Sequence, residues 1–503
     1  MSGDYDVVIV GSGFGGSVAA LRAAEKEYRV GVLEAGRRFA PEDFPRTSWR
    51  ARRYLWAPRL GCRGIQRITS LKEVLVLSGA GVGGGSLVYA NVLYEPLEPF
   101  FREPQWAEIT DWRAELEPHY ETARRMLGAT EVPFESPAEG VVRRVALRMG
   151  AAKTFRRTTV AVDFDRCVRC GGCMVGCRYG AKNTLDRTYL RRAEELGAEV
   201  HPERQATLLR RVGGGWEVVT ERPGAWVRKR RRVFRATDVV LAAGVLGTLE
   251  LLFRSGLGGP RVGELVRTNS EALVGASAPG TDVDYSTGIA IGSSFFPSPD
   301  THIEPVRYPK GSNAMALLGA PLVDSRRELL AFALRRPRAF LRSVSPRRWS
   351  ERTVILLVMQ AVDNALRVRW TGRRLAASGR TAPARIPAAH EAARHAAEIM
   401  GGVPGATVAE VLLGRPMTAH ILGGCCIGAS PETGVIDAYH RVFTEPGLHV
   451  VDGSAVGANL GVNPSLTIAA LAERALAHWP RRGEPDRRPP RREPYRSTQP
   501  LRA

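Results

Sequence analysis

The sequence predicts an α/β fold in which one doubly wound domain is interleaved with a second, α+β lobe. Three observations carry this. The chain opens with an apolar run, a Gly-rich turn and a helix-forming stretch. The same order returns at Arg235–Leu252 (RATDVVLAAGVLGTLELL), and a third apolar run, HVVDG at 449–453, comes near the C-terminus.

Tyr5–Val10 (YDVVIV) reads as a buried parallel strand, because its apolar residues follow one another without alternation. GSGFGG follows at once, then SVAALRAAEKE as a helix, then a second strand over 28–33 ending in Glu34-Ala35-Gly36. This is the GxGxxG pattern in the setting it needs, a Rossmann-type βαβ unit. Gly11 makes the tight turn, Gly13 lets the backbone approach a pyrophosphate, and Gly16 allows the helix to pack on the strand. Glu34 lies about twenty residues further on, where a carboxylate can bind ribose hydroxyls. A chain that opens with a dinucleotide unit and returns to it at its far end fits FAD better than NAD. Between the two ends, SGAGVGGGSLVYAN at 78–91 is a Gly loop whose apolar continuation implies burial beside a flavin ring or pyrophosphate.

The stretch from Pro416 to Ala470 concentrates the groups able to do chemistry. His420 is the side chain best suited to take a proton near neutral pH. Asp452-Gly453 ends the late strand, where glycine permits close approach of a sugar or phosphate. Asn463-Pro464 precedes SLTIAALAERALA and reads as a helix entry, with Pro464 at or near the first helical position. Helix amides favour an electron-rich group at that end.

The 503 residues allow two or three domains, and 44% hydrophobic content supports a large core. The net charge of +21 is mostly Arg, dispersed, with no nucleic-acid-binding signature, so no nucleic-acid partner is expected. Coding bias toward Arg with a basic tail is the plain reading of that charge, and attraction to an anionic lipid surface is a third. Leu329–Leu341 (LLAFALRRPRAFL) mixes apolar and basic residues and is a candidate membrane-surface contact or a helix packed on its own domain. No signal peptide and no membrane-spanning run is visible, and seven Cys do not suggest a secreted disulfide framework. The reading is cytoplasmic, with peripheral membrane contact as an option.

Four of those cysteines, Cys167, Cys170, Cys173 and Cys177, have the C-x₂-C-x₂-C-x₃-C spacing of bacterial ferredoxins. An Fe–S cluster or zinc site is one expectation; a thiol-rich turn beside the active site is the other. Arg178 stands where the ferredoxin pattern has Pro.

GSGFGG with Glu34, GVGGGSLV, HILGG, VVDGSAV and NPSLTIAALAERA, in that order, resemble the glucose–methanol–choline oxidoreductases. The resemblance covers nearly the whole chain and is nearest to the bacterial cholesterol oxidase branch that binds FAD non-covalently. It implies that Gly11, Gly13, Gly16 and Glu34 hold the ADP half of FAD. Gly81, Gly83, Gly84, Ser86 and Asn91 would follow the pyrophosphate and flavin, with Asp452, Gly453 and Pro464 completing the cofactor contacts. His420 and Asn463 match the catalytic pair, and Glu304 in DTHIEPVRYP is the candidate proton shuttle for double-bond isomerisation. The implied substrate is a sterol or other apolar alcohol, oxidised by hydride transfer to flavin with oxygen as acceptor. The alternative is a dehydrogenase for another bulky alcohol with a different acceptor, reached through a Cys-ligated cluster. At 89–91 the chain reads Tyr-Ala-Asn where the cholesterol oxidases have Asn-Gly-Gly.

The expected division assigns 1–44, 70–95, 195–265 and 436–479 to the FAD-binding domain. Residues 45–69, 96–194 and 266–435 are expected to form the substrate lobe, since the rhythm of buried strands is missing over 96–165 and 256–410, a stretch that begins just before the boundary at 266. The Pro/Arg-rich end, 480–503, is expected to be disordered.

Overall fold

A computed structural model describes residues 4–380, 383–496 and 498. A seven-stranded sheet forms the first layer. Its strands run in the order Glu199–His201, Val30–Leu33, Tyr5–Val10, Arg232–Leu241, Gly215–Glu221 and Gln205–Val212, and Leu448–Val450 also pairs with Arg232–Leu241. The pairings of Tyr5–Val10 with Val30–Leu33 and with Arg232–Leu241 are parallel, as is that of Leu448–Val450. The three apolar runs of the sequence therefore meet side by side, and each is buried because helices cover the sheet.

The helices Phe14–Glu25 and Ser465–Ala477 pack against each other over this sheet. Two more join them: Trp112–Leu127, through Tyr120 to Thr467 (3.2 Å) and Arg474 to Glu115 (2.7 Å), and Tyr189–Glu195, through Tyr189 to Glu473 (2.6 Å). Both lie in the 96–194 segment that the sequence reading gives to the substrate lobe. Their buried faces match the nucleotide-domain helices, which sequence position does not reveal.

The second layer is an antiparallel sheet in the order Gly319–Pro321, Val403–Thr407, Ala272–Ser277, Thr353–Gln360, Thr301–Val306, Ser293–Ser298 and Arg156–Arg157. Helices Pro137–Arg148 and Pro387–Ile399 pack on it around a second apolar core. Here the expectation that 256–410 lacks buried strands fails. Thr353–Gln360 (TVILLVMQ) is a central, almost wholly buried strand of this sheet. A separate three-stranded sheet, in the order Met417–Thr418, Leu75–Gly79 and Gln66–Ser70, pairs the segment before His420 in parallel with the strand that leads into the Gly loop.

The expected disorder of the tail does not hold over 480–496. Arg441 donates to the Pro489 carbonyl (2.7 Å), and Tyr495 donates to Glu115 (2.7 Å) while its ring sits 5.3 Å from that of Tyr439. Guanidinium–aromatic contacts such as Arg474 over Tyr495 and Arg488 over Trp479 replace the apolar burial that the composition lacks. Residues 497 and 499–503 of the expected disordered segment lie outside the described residues.

Candidate active site

A cavity of about 990 Å³ runs between the two layers. One end is walled by Val10 to Gly15, Leu33 to Ala35 and Ala242 to Gly247, and the middle by Gly84, Gly85 and Val88 to Ala90. At the other end stand Glu271, His420, Asn463 and Pro464; Asp452, against Gly15 and Thr248, and Gly453, bonded to Gly423, lie between the two.

The fit to a dinucleotide rests on backbone shape. A Cβ added to Gly13 or Gly244 would meet nothing within 4 Å, so these glycines open onto the cavity and let a ligand lie against the main chain. The helix Phe14–Glu25 starts there with no acidic residue in its first turn, leaving its amide end free to favour an anion. Gly16 serves packing: a Cβ there would stand 2.0 Å from the Gly11 carbonyl oxygen.

Glu34 lines the cavity, yet its carboxylate already accepts four hydrogen bonds. Oε2 takes the Ser12 N–H (3.1 Å) and hydroxyl (2.7 Å), and Oε1 takes the amides of Gly36 (2.7 Å) and Gly81 (3.3 Å). It ties the first glycine turn to the second glycine loop. In that loop Gly84 borders the cavity, whereas Gly81, Gly83 and Ser86 stand behind the wall. The Ser86 hydroxyl donates to the Gly83 carbonyl and accepts from the Leu185 amide, shaping the loop from within. Asn91 is fully buried, and neither polar atom of its side chain has a partner. That is an open pair of hydrogen-bonding atoms next to the loop. Asp452 is held by the Ser454 amide and the Thr248 hydroxyl (2.6 Å), and burial pushes its carboxyl up. Pro464 caps the helix that begins at Ser465.

At the chemical end the side chains form a chain of contacts. The Asn463 Nδ2 donates to Glu304 Oε1 at 3.0 Å and reaches His420 Nε2 at 3.3 Å; its Oδ1 has no partner. On the far side of the imidazole, Nδ1 lies 2.5 Å from Glu271 Oε1. Glu304 is fully buried behind Asn463 and is not among the lining residues. Burial pushes its carboxyl up to about 8; the nearby Glu271 adds to the shift and the Asn463 bond opposes it. His302, two residues before Glu304 on the same strand face, is pushed down to about 3, chiefly by burial, and neither ring nitrogen has a partner. Glu304 and His302 are thus neutral near pH 7.

Sequence reasoning missed Glu271 and His302. The signals were there: a carboxylate opening the apolar run ALVGAS, and a His alternating with Glu304 in THIEPV.

The cysteine run does not form the expected metal site. Among the described residues no group of three or more His, Cys, Asp or Glu side chains is arranged to hold a metal ion. The physical reason is how the loop is tied down. Cys173 offers its backbone carbonyl to the buried Lys182 ammonium (2.8 Å), which also binds the carbonyls of Leu87 and Tyr89. The loop braces the Gly loop, and Cys170 is left exposed.

Sequence profiles of the GMC oxidoreductase family match residues 5–271 and 360–472. The chain belongs to the GMC oxidoreductase family. It is 51% identical to a cholesterol oxidase of Mycobacterium tuberculosis over an alignment covering 100% of this chain and 95% of the relative. It is 41% identical to a cholesterol oxidase of Acinetobacter baumannii, covering 95% and 94%. Pyridoxine 4-oxidase from Mesorbium loti shares the fold, with a TM-score of 0.63 at 17% identity over 94% of this chain and 99% of that one. This GMC oxidoreductase is an FAD-dependent alcohol oxidoreductase with the expected α/β architecture. No helix among the described residues is long and apolar enough to cross a membrane.

Proposed function

We propose that the protein oxidises the 3β-hydroxyl of cholesterol or a closely similar sterol to the ketone and can move the double bond from Δ5 to Δ4. The observation that carries this is the pair His420 Nε2 and Asn463 Nδ2, 3.3 Å apart, on a cavity whose lining includes Leu273, Ile291, Val306, Ile355 and Leu357. An apolar chamber with a few convergent polar groups at one end suits a bulky, mostly apolar alcohol. The identity with cholesterol oxidases along the whole chain supports the same substrate.

Gly11, Gly13, Gly84 and Asp452 would hold FAD non-covalently, with Glu34 bracing the two glycine turns, and the flavin would supply the acceptor for the hydride of the carbinol carbon. His420 Nε2 takes the hydroxyl proton. Asn463 fixes the oxygen by hydrogen bonding, and the wall excludes water. Glu304 is the group we assign to proton movement in isomerisation: its carboxylate form, in equilibrium with the neutral acid near pH 8, would take a proton from C4 and return it to C6. Molecular oxygen is the proposed final acceptor, and the cytoplasm the proposed compartment, in keeping with seven free cysteines. The basic, leucine-bearing helix pair Arg326–Arg335 and Pro337–Val344 is the proposed membrane contact.

The test is anaerobic flavin bleaching with a panel of alcohols that includes cholesterol, followed by readmission of oxygen. Sterols should bleach fastest, and oxygen should restore the flavin spectrum. Bleaching only by non-sterol alcohols overturns the substrate, and bleaching without recovery overturns the acceptor. His420→Ala should keep FAD and lose roughly 10²–10⁴ in the rate of bleaching.

A further inference from the structure

We infer that Glu271 is the positioning residue that makes His420 a base, and that the segment Thr268–Glu271 is the bracket holding the whole catalytic end in register. This rests on the reading of His420 as the proton acceptor and adds a residue to it.

The first support is the geometry of the carboxylate. Glu271 is 1% exposed and both its oxygens are engaged. Oε1 lies 2.5 Å from His420 Nδ1, and Oε2 accepts the Ala419 amide at 2.8 Å. The amide bond sets the carboxylate's rotation, so Oε1 faces Nδ1 as an acceptor. A carboxylate has no proton to give, so Nδ1 carries the hydrogen and Nε2 presents its lone pair. Asn463 Nδ2, which can only donate, faces that lone pair from the other side. Two neighbours on opposite edges of the ring therefore select one tautomer, with Nε2 unprotonated and facing the Asn463 amide.

The second support is backbone strain next to this carboxylate. Asn269 and Ser270 both have positive φ, 57° and 45°, though neither is glycine, and both are buried. Two consecutive residues in this region cost energy that only a well-tied surrounding holds in place. The ties are visible. The Asn269 amide donates to Asn459 Oδ1 (2.9 Å) and its Nδ2 to the Val462 carbonyl (2.9 Å). Its Oδ1 accepts the amides of Leu460 and Gly461. One residue further back, the Thr268 carbonyl accepts the Thr418 hydroxyl (2.9 Å), and Thr418 in turn accepts the His420 amide (3.0 Å). The four residues thus grip the loop that ends in Asn463 and the strand Met417–Thr418 that leads into His420.

The titratable groups around the imidazole are Glu271 at Nδ1, Glu304 behind Asn463, and His302. Burial keeps the last two neutral near pH 7, which leaves the Glu271 carboxylate as the charge beside the ring. That charge favours the imidazolium formed when the substrate proton arrives.

The experiment measures the limiting rate of anaerobic flavin reduction by cholesterol against pH, on holoenzyme carrying Glu271→Gln, Glu271→Asp, His420→Ala, and Glu271→Gln combined with His420→Ala. Glu271→Gln should retain FAD and slow reduction by roughly 10²–10⁴. Its acid limb should move to lower pH, because loss of the carboxylate lowers the imidazole's proton affinity. Glu271→Asp should recover part of the rate and keep the acid limb of the parent. Adding Glu271→Gln to His420→Ala should cost less than threefold, since Glu271 acts through the ring. An unmoved acid limb in Glu271→Gln, or full additivity in the double variant, overturns the proposal. Should Glu271→Gln fail to bind FAD, the Asp variant and its limb decide. A His420→Ala enzyme that reduces its flavin normally overturns the reading of His420 instead, which separates the two.

Discussion

Asn463 donates a 3.0 Å hydrogen bond to Glu304, so the amide that faces the cavity also serves a carboxyl sealed behind it. Removing the amide withdraws that carboxyl's partner in a place without water. Asn463→Ala is expected to lose about 1–3 kcal/mol of stability as Glu304 Oε1 becomes unsatisfied, and to slow sterol oxidation. Denaturant melts and anaerobic flavin reduction on the same preparation check both. Unchanged stability would show that Glu304 finds another donor.

Glu304 should make stability fall as pH rises. Its folded pKa, about 8, lies above the ordinary 4.5, so the folded state holds a proton that the unfolded chain has released. The contribution is fully present below pH 4.5 and is lost as pH rises through about 8. Glu304→Gln removes that loss. The variant's melting temperature relative to the parent should climb across this window, and a flat difference would count against a buried neutral carboxyl. Accumulation of the Δ5 ketone by the same variant would support the isomerisation role.

Gly84 rests on Gly13: a Cβ added to Gly84 would stand 2.5 Å from the Gly13 Cα, and Gly84 has φ +54°. Gly84→Ala must part the two glycine turns that border the cofactor cavity. The expected result is lower FAD content on purification and a loss of about 1–3 kcal/mol in stability, read by flavin absorbance and thermal melting. Full FAD occupancy at normal stability would refute the tight apposition.

The helices Arg326–Arg335 and Pro337–Val344 leave Leu330, Leu334 and Leu341 63%, 74% and 64% exposed, beside the exposed Arg335, Arg336 and Arg338. Leu317 and Leu318, which line the cavity, are exposed too. Sedimentation with vesicles rich in phosphatidylglycerol should exceed that with phosphatidylcholine. Leu334→Asp with Leu341→Asp should cut it by roughly tenfold or more. Equal binding of parent and variant would rule out this surface.

Gly11, Gly13, Glu34, Asp452, His420 and Asn463 were all legible in the sequence, because each belongs to a local pattern: a turn, a strand end or a helix start. What those residues touch was less legible. Glu34 was expected to be open for ribose, and instead its oxygens join the turn at Ser12 to the loop at Gly81, 69 residues apart. Glu304 was expected at the substrate, and it stands one residue back. The cysteine spacing matched a ferredoxin pattern, yet the Cys173 carbonyl is taken by Lys182, and spacing alone does not bring thiols around one point.

The linear chain thus specified the nucleotide-binding unit, the family and the His420–Asn463 pair that lines the cavity, since glycine turns and short-range strand and helix signals are properties of contiguous residues. The fold alone decided which carboxylate stands behind His420 and which behind Asn463, and that the arginine-rich tail is ordered over 480–496. Glu271 and His420 are 149 positions apart, and Asn463 and Glu304 159. Pairings over such distances arise from how two sheets pack, and burial then sets the protonation of the groups they enclose.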